Sequence, residues 1–174
     1  MSQANRLHGV RCGILTASDR VSRAQGKNES GAYLAQTLAA EGAEVLAHVV
    51  VPDDIDTIAR TLADMADTLR VDLVLTTGGS GVAPRDVTPE ATLRVIERQV
   101  PGIPEAARSA TAARAPLAVL SRAVAGIRGR TLIINLPGSP RAVREWMEVI
   151  LPLLRHAIEL LQERQLEWGR EHRP

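Results

Sequence analysis

The sequence predicts an α/β fold in which parallel strands alternate with crossover helices. Two observations carry this. Short apolar runs at Val10 to Ala17, Val45 to Val51, Val71 to Thr77 and Thr131 to Leu136 are separated by longer stretches of helical periodicity. No internal repeat or low-complexity linker breaks the pattern, so residues 1–174 are read as one domain with a core of about 10–161.

The first strand leads into a segment from Ser18 to Asn28 that is too rich in charge and hydroxyls to be core, and it is read as a loop. Ser30 is the expected cap of the next helix, in which Leu34 and Leu38 share a face before Gly42 ends it. The second strand stops at Pro52-Asp53-Asp54, and Asp54 is placed to cap a helix whose apolar positions Ile55, Ile58, Leu62, Met65 and Leu69 are three and four apart. After the third strand, Thr88 is expected to cap a helix with Pro89 in its first turn and an end near Gln99. Pro101 to Ala115 reads as helix broken by Pro116, and Ser121 to Arg130 as a turn or short hairpin. Ser139 and Pro140 then start a last long helix, where Pro152 predicts a kink near Glu148. Residues 164–174 are polar and expected to be mobile.

Composition narrows the function. A formal net charge of +1 gives no general attraction to nucleic acid or membranes. With no Phe, one Tyr and two Trp, base-stacking platforms cannot be assembled. Cys12 is the only cysteine, so neither an intrachain disulfide nor a cysteine metal site is available, and a reducing cytoplasm is the expected home. The opening MSQANRLHGVRCG lacks an apolar signal-peptide core, and no apolar run nears the ~18 residues that span a bilayer. The chain is therefore expected to be neither exported nor membrane-embedded. His8, His48, His156 and His172 are scattered without metal spacing, and Gly78-Gly79-Ser80-Gly81 is one residue too tight for a serine nucleophile elbow.

The informative stretch is Thr77-Gly78-Gly79-Ser80-Gly81-Val82-Ala83-Pro84-Arg85-Asp86-Val87-Thr88-Pro89-Glu90. Three glycines in four residues let backbone N–H groups converge on phosphate oxygens, and the helix start that follows adds partial positive charge. Pro84 stands where the Rossmann fingerprint needs glycine, and the loop lacks the Walker lysine, since Lys27 is the one lysine of the chain. A nucleotide here would have its charge met by backbone amides, Arg85 and a divalent cation held by Asp53 and Asp86. In an open parallel sheet ligands lie beyond the carboxyl ends of the strands, so Ser18-Asp19, Asp53, residues 77–88 and residues 136–140 are expected to meet in one crevice. Plainer readings stand beside these: the glycines as a tight turn, Asp53 as a turn or capping residue, Asp86 as a solvated loop charge.

These residues resemble the molybdenum-cofactor biosynthesis proteins of MogA/MoaB type. The marks are Thr16-Ala17-Ser18-Asp19, Pro52-Asp53, Thr77 to Gly81 with Arg85 to Thr92, Ser121-Arg122-Ala123, and Asn135-Leu136-Pro137-Gly138-Ser139-Pro140. The resemblance implies a three-layer α/β/α fold on a mostly parallel sheet, a homotrimer, and transfer of AMP from Mg-ATP to the terminal phosphate of molybdopterin with release of pyrophosphate, followed by hand-off to a molybdenum insertase. It implies that Asp53, Asp86 and Arg85 serve catalysis, with Asp53 and Asp86 holding Mg2+. It also implies that Gly78, Gly79, Ser80 and Gly81, flanked by Thr77 and Thr88, cradle phosphate, that Ser18 and Asp19 face pterin and nucleotide, and that Pro137, Gly138 and Ser139 form a second substrate turn. Ser80 replaces the threonine of many relatives, keeping the hydroxyl, and the link after Gly138 is short. Alternatives are a paralogue that binds molybdopterin without adenylylating it, a pyrophosphatase or nucleotide deamidase module on the same domain, and a purely structural trimerisation role.

Overall fold

A computed structural model describes residues 5–163; the tail at 164–174, expected to be mobile, lies outside them. Strands β1 (Arg11–Ala17), β2 (Glu44–Val51) and β3 (Leu73–Thr77) are followed by the two-residue β4 (Arg98–Gln99), then β5 (Ala125–Arg128) and β6 (Thr131–Leu136). They form one six-stranded sheet in the order β2-β1-β3-β6-β5-β4. The first four positions are parallel, and at one edge β5 is antiparallel to both its neighbours, β6 and β4.

Burial shows why these runs became central strands. Every residue of β3 and β6 is buried, and so is β1 after Arg11, as expected when both faces are covered. Alternate side chains feed two separate cores. Cys12, Ile14, Leu73, Leu75, Leu132 and Ile134 pack with helices α2 (Glu29–Ala40), α5 (Gly102–Ala112) and α6 (Pro140–Leu161). Leu15, Ala17, Val74 and Ile133 face α3 (Ile55–Asp67) and α4 (Thr88–Val95) on the other side. The result is the three-layer α/β/α arrangement.

The connections place the crevice. From β1 the chain crosses through α2 to β2 at the sheet edge, then returns through α3 to β3 on the other side of β1. Strand order reverses between β1 and β3, so their carboxyl ends diverge into helices on opposite faces and leave an opening at Ser18 and Gly78.

Several local expectations change. The loop after β1 contains a one-turn helix, α1 (Asp19–Ser22), whose N-cap Ser18 accepts from the Val21 N–H. Asn28, rather than Ser30, caps α2 by accepting from Gly31 N–H, while the Ser30 hydroxyl donates to the Gly138 carbonyl at 2.8 Å. Thr88 is the first residue of α4, and its hydroxyl donates back to the Gly78 carbonyl; the cap position falls on Val87, which offers no side-chain bond. α4 ends at Val95 instead of Gln99 because Glu97 N–H donates to Ile127 and Arg98–Gln99 pair with β5. Pro116–Leu120 form a 3-10 turn. α6 continues as one helix through Pro152, carried by a buried stripe of Val143, Trp146, Met147, Ile150, Leu154 and Ile158. Among the described residues no helix is long and apolar enough to cross a membrane.

Ser139 caps α6 as expected, accepting from Ala142 N–H at 3.2 Å. Replacing it with alanine is expected to cost about 1 kcal/mol and lower the melting temperature by roughly 2–4 °C, read by calorimetry. An unchanged melting temperature would show that the cap contributes nothing.

Candidate functional site

The four loops expected to meet do meet. A cleft of about 550 Å³ at the carboxyl end of the sheet is lined by Ser18 after β1, Asp53 after β2, Thr77, Gly78 and Gly79 after β3, Asp86, and Gly138 after β6. A second cleft of about 670 Å³ adjoins it, lined by Ser80, Gly81, Pro137, Ser139 and Trp146 among others. Gly79, Asp86 and Gly138 border both. The glycine loop is thus the wall between two openings.

Sequence chemistry explains why that wall can stand there. Gly78 has φ +93°, and a Cβ on it would lie 2.2 Å from the Ala17 carbonyl oxygen, so β1 and β3 can close at this point only around glycine. Gly79 has φ +61°, and a Cβ there would sit 2.5 Å from Thr88 Oγ1 and 3.0 Å from Asp53 Oδ1. Thr88 secures the loop from below, with its N–H donating to the Gly79 carbonyl and its hydroxyl to that of Gly78. Thr77 is buried and its hydroxyl donates to the Pro137 carbonyl at 2.6 Å, tying the third strand end to the sixth. Ser80 is buried too, its hydroxyl reaching the Leu136 carbonyl. Beneath this, buried Asn135 donates to Thr76 and Thr92 hydroxyls and accepts from Val124 N–H.

Asp19 and Asp53 hold each other through the backbone: Asp19 N–H donates to Asp53 Oδ2 at 2.8 Å, and Asp53 N–H donates to Asp19 Oδ1 at 3.2 Å. Arg85 donates two bonds to Asp19 Oδ2, at 2.9 and 2.7 Å. Asp19 and Arg85 therefore form an ion pair at the rim, while Asp53 and Asp86 line the cleft itself. The Asp86 carboxylate accepts from Ala83 N–H at 2.9 Å. The two aspartates of the pair titrate in opposite directions. The Arg85 guanidinium holds Asp19 below the ordinary carboxylate range. Burial raises Asp53 above it, against the lowering effect of the Asp19 N–H, and the charges of Asp19 and Asp86 add to the rise.

A carbon-13 NMR titration of the side-chain carboxyls should accordingly show Asp53 gaining its proton above pH ~3.9 and Asp19 below it. A group raised in the folded state loses its charge first on acidification, so Asp53 neutralises while Asp19 remains paired to Arg85. The reverse order would contradict this electrostatic arrangement.

Sequence reasoning missed part of the lining. Arg20, Lys27, Asn28 and Ser30 also face the first cleft. Asn28 accepts from the Thr16 hydroxyl and lies 3.1 Å from His48 Nε2, an imidazole that burial pushes toward its neutral form. The polar run from Ser18 to Asn28 is the only signal for Arg20, Lys27 and Asn28, and Ser30 reads only as a helix cap. The second cleft brings in Arg114 and Arg141. Chemically, the pair of openings offers basic groups for anions and, for a cation, the Asp86 carboxylate on the shared border with Asp53 in the first cleft. Among the described residues no group of three or more His, Cys, Asp or Glu side chains forms a self-sufficient metal site.

Comparison with known proteins identifies the family. A family profile described as "Probable molybdopterin binding domain" (MoCF_biosynth) matches residues 13–156. Molybdopterin adenylyltransferase of Helicobacter pylori J99 is 40% identical over 154 residues, 87% of this chain and 88% of that protein. Gephyrin of Dictyostelium discoideum is 39% identical over 162 residues, 87% of this chain but 22% of that much longer protein. The crystal structure of the molybdopterin biosynthesis enzyme MoaB from Thermus thermophilus superposes with a TM-score of 0.84 at 46% identity, covering 89% of this chain and 98% of that one. With the glycine loop, both acidic loop ends and the turn at Pro137, Gly138 and Ser139 inside the matched span, the chain belongs to the MoCF_biosynth family of molybdopterin-binding domains.

Proposed function

We propose that this protein is a molybdopterin adenylyltransferase, moving AMP from Mg-ATP to the terminal phosphate of molybdopterin and releasing pyrophosphate. The observation that carries the proposal is the convergence of four strand-end loops on two clefts that share Gly79, Asp86 and Gly138. Two anionic substrates entering from the two sides would bring their phosphates together at that border.

A phosphate oxygen of the pterin attacks the α-phosphorus of ATP, the bond from that phosphorus to the bridging oxygen of the β-phosphate breaks, and pyrophosphate leaves with the electron pair. The nucleophile is already an anion, so no covalent enzyme intermediate is needed, and the protein's work is to position and neutralise. Ser18 and the Gly78 to Gly81 loop, braced by Thr77 and Thr88, bind phosphate oxygens, while Pro137, Gly138 and Ser139 shape the second substrate turn. Arg85, paired with Asp19 at the rim, supplies positive charge toward the incoming phosphates. Asp53 and Asp86 suit a magnesium ion, which commonly takes one or two carboxylates and completes its shell with substrate phosphates and water. The ion, when bound, supplies charge neutralisation on the triphosphate.

The same reading includes a homotrimer, a cytoplasmic location and hand-off of the product to a molybdenum insertase. That a related stretch makes up only 22% of the longer Dictyostelium gephyrin chain supports such a hand-off. Light scattering after gel filtration tests the trimer. Purified protein supplied with molybdopterin, Mg2+ and ATP labelled at the α-phosphate should put label into the pterin with one pyrophosphate released per label. Molybdopterin retained by the protein without label would instead assign it to the binding-only paralogues.

A further inference from the structure

Arg122 lines neither cleft, yet it donates to three carbonyls of the glycine loop and the turn that follows it. Its backbone N–H donates to the Ser80 carbonyl at 2.8 Å. Its Nε donates to the Gly81 carbonyl at 2.6 Å, one terminal nitrogen donates to the Asp86 carbonyl, and the guanidinium also pairs with the Glu90 carboxylate in the first turn of α4. The two side-chain bonds to carbonyls fall at the two ends of the turn from Gly81 to Asp86. That turn is closed inside by Asp86 N–H to the Ala83 carbonyl and by Ala83 N–H to the Asp86 carboxylate. One planar fork therefore fixes both ends of the segment that carries Asp86, and Glu90 fixes the fork.

We infer that Arg122 is a positioning residue for the adenylyl-transfer site, setting the glycine-loop amides and the Asp86 carboxylate through the carbonyls of Gly81 and Asp86. The activity side of this inference rests on the proposed function; the geometric side does not. A guanidinium is required because three acceptors lie in different directions around it, and a lysine ammonium on a flexible stem has no fixed fork to meet them together. Misplacement of a group at the reacting centre by a fraction of a bond length is enough to slow transfer severely.

The test uses R122K and R122A in the full chain, with two readouts. Amide hydrogen exchange should accelerate by about tenfold or more across Ser80 to Val87, the scale of losing a charge-assisted bond, while β6 exchanges as in the wild type. Turnover should fall about 10- to 100-fold in R122K with the KM for ATP changed much less, since the lysine keeps the charge and loses the geometry. Added guanidinium should restore part of the turnover of R122A and none of that of D86N. R122K with wild-type loop exchange, or with faster loop exchange but wild-type turnover, overturns the inference. Exchange that rises equally in β6 also overturns it, by showing a merely structural role. Should R122A fail to fold, R122K carries both readouts. If the wild type itself transfers no AMP, the function proposed above fails, and loop exchange alone decides whether Arg122 sets the segment.

Discussion

Replacing Asp86 with asparagine is expected to cut AMP transfer by about 100-fold or more while leaving the fold unchanged, the usual scale for losing one directed electrostatic group. The asparagine oxygen can still accept from Ala83 N–H, as the Asp86 carboxylate does at 2.9 Å, so the turn should close as before. What disappears is the negative charge at the border shared by the two clefts. Steady-state kinetics with a melting curve on the same sample separates the two effects. Wild-type turnover in D86N would remove this carboxylate from the mechanism, and a collapsed melting temperature would make it a structural residue.

The second large effect falls on Gly78. Alanine there would have to occupy φ +93° and place its Cβ 2.2 Å from the Ala17 carbonyl oxygen, a backbone atom held in the sheet. The left-handed conformation costs roughly 1–2 kcal/mol and the clash adds a further 1–3. A loss of about 3 kcal/mol corresponds to a fall in melting temperature of roughly 10 °C for a chain of this size. Gly129 supplies the control. It has φ +55° with nothing within 4 Å of a Cβ, so G129A should show only the conformational part. Equal melting temperatures for G78A and G129A would mean that β1 and β3 do not close tightly at this point.

The parts of this molecule legible in the sequence are those decided by local chemistry. β3 and β6 are mainly apolar without alternation because both faces are buried, and their glycine- and proline-bearing exits mark where the sheet stops and helices begin. The convergence of four loop ends follows from that topology, which is why Asp53, Gly78, Asp86 and Gly138 could be grouped from the sequence. What escaped was set by partners distant in sequence. Ser30 and Asn28 are both good capping residues, and the choice fell to Asn28 because the Ser30 hydroxyl is engaged by the Gly138 carbonyl, 108 residues away. The end of α4 was placed four residues late because pairing of Arg98–Gln99 with β5 outweighs helix propensity there. Arg85 was expected to face phosphate, and nothing local announces its pairing with Asp19 across 66 residues. Arg122 was visible as part of a motif, but bonds to main-chain carbonyls leave no side-chain pattern to read.

The central claim is that main-chain amides of the glycine loop, with Asp53 and Asp86, receive the triphosphate at the border of the two clefts. A crystal structure grown with Mg2+ and an ATP analogue carrying a non-cleavable α–β bridge tests it most directly. The account predicts phosphate oxygens within hydrogen-bond reach of the N–H groups of the Gly78 to Gly81 loop and the magnesium ion bound to Asp53 and Asp86. A nucleotide lodged elsewhere, or a metal ion held without either carboxylate, would contradict it.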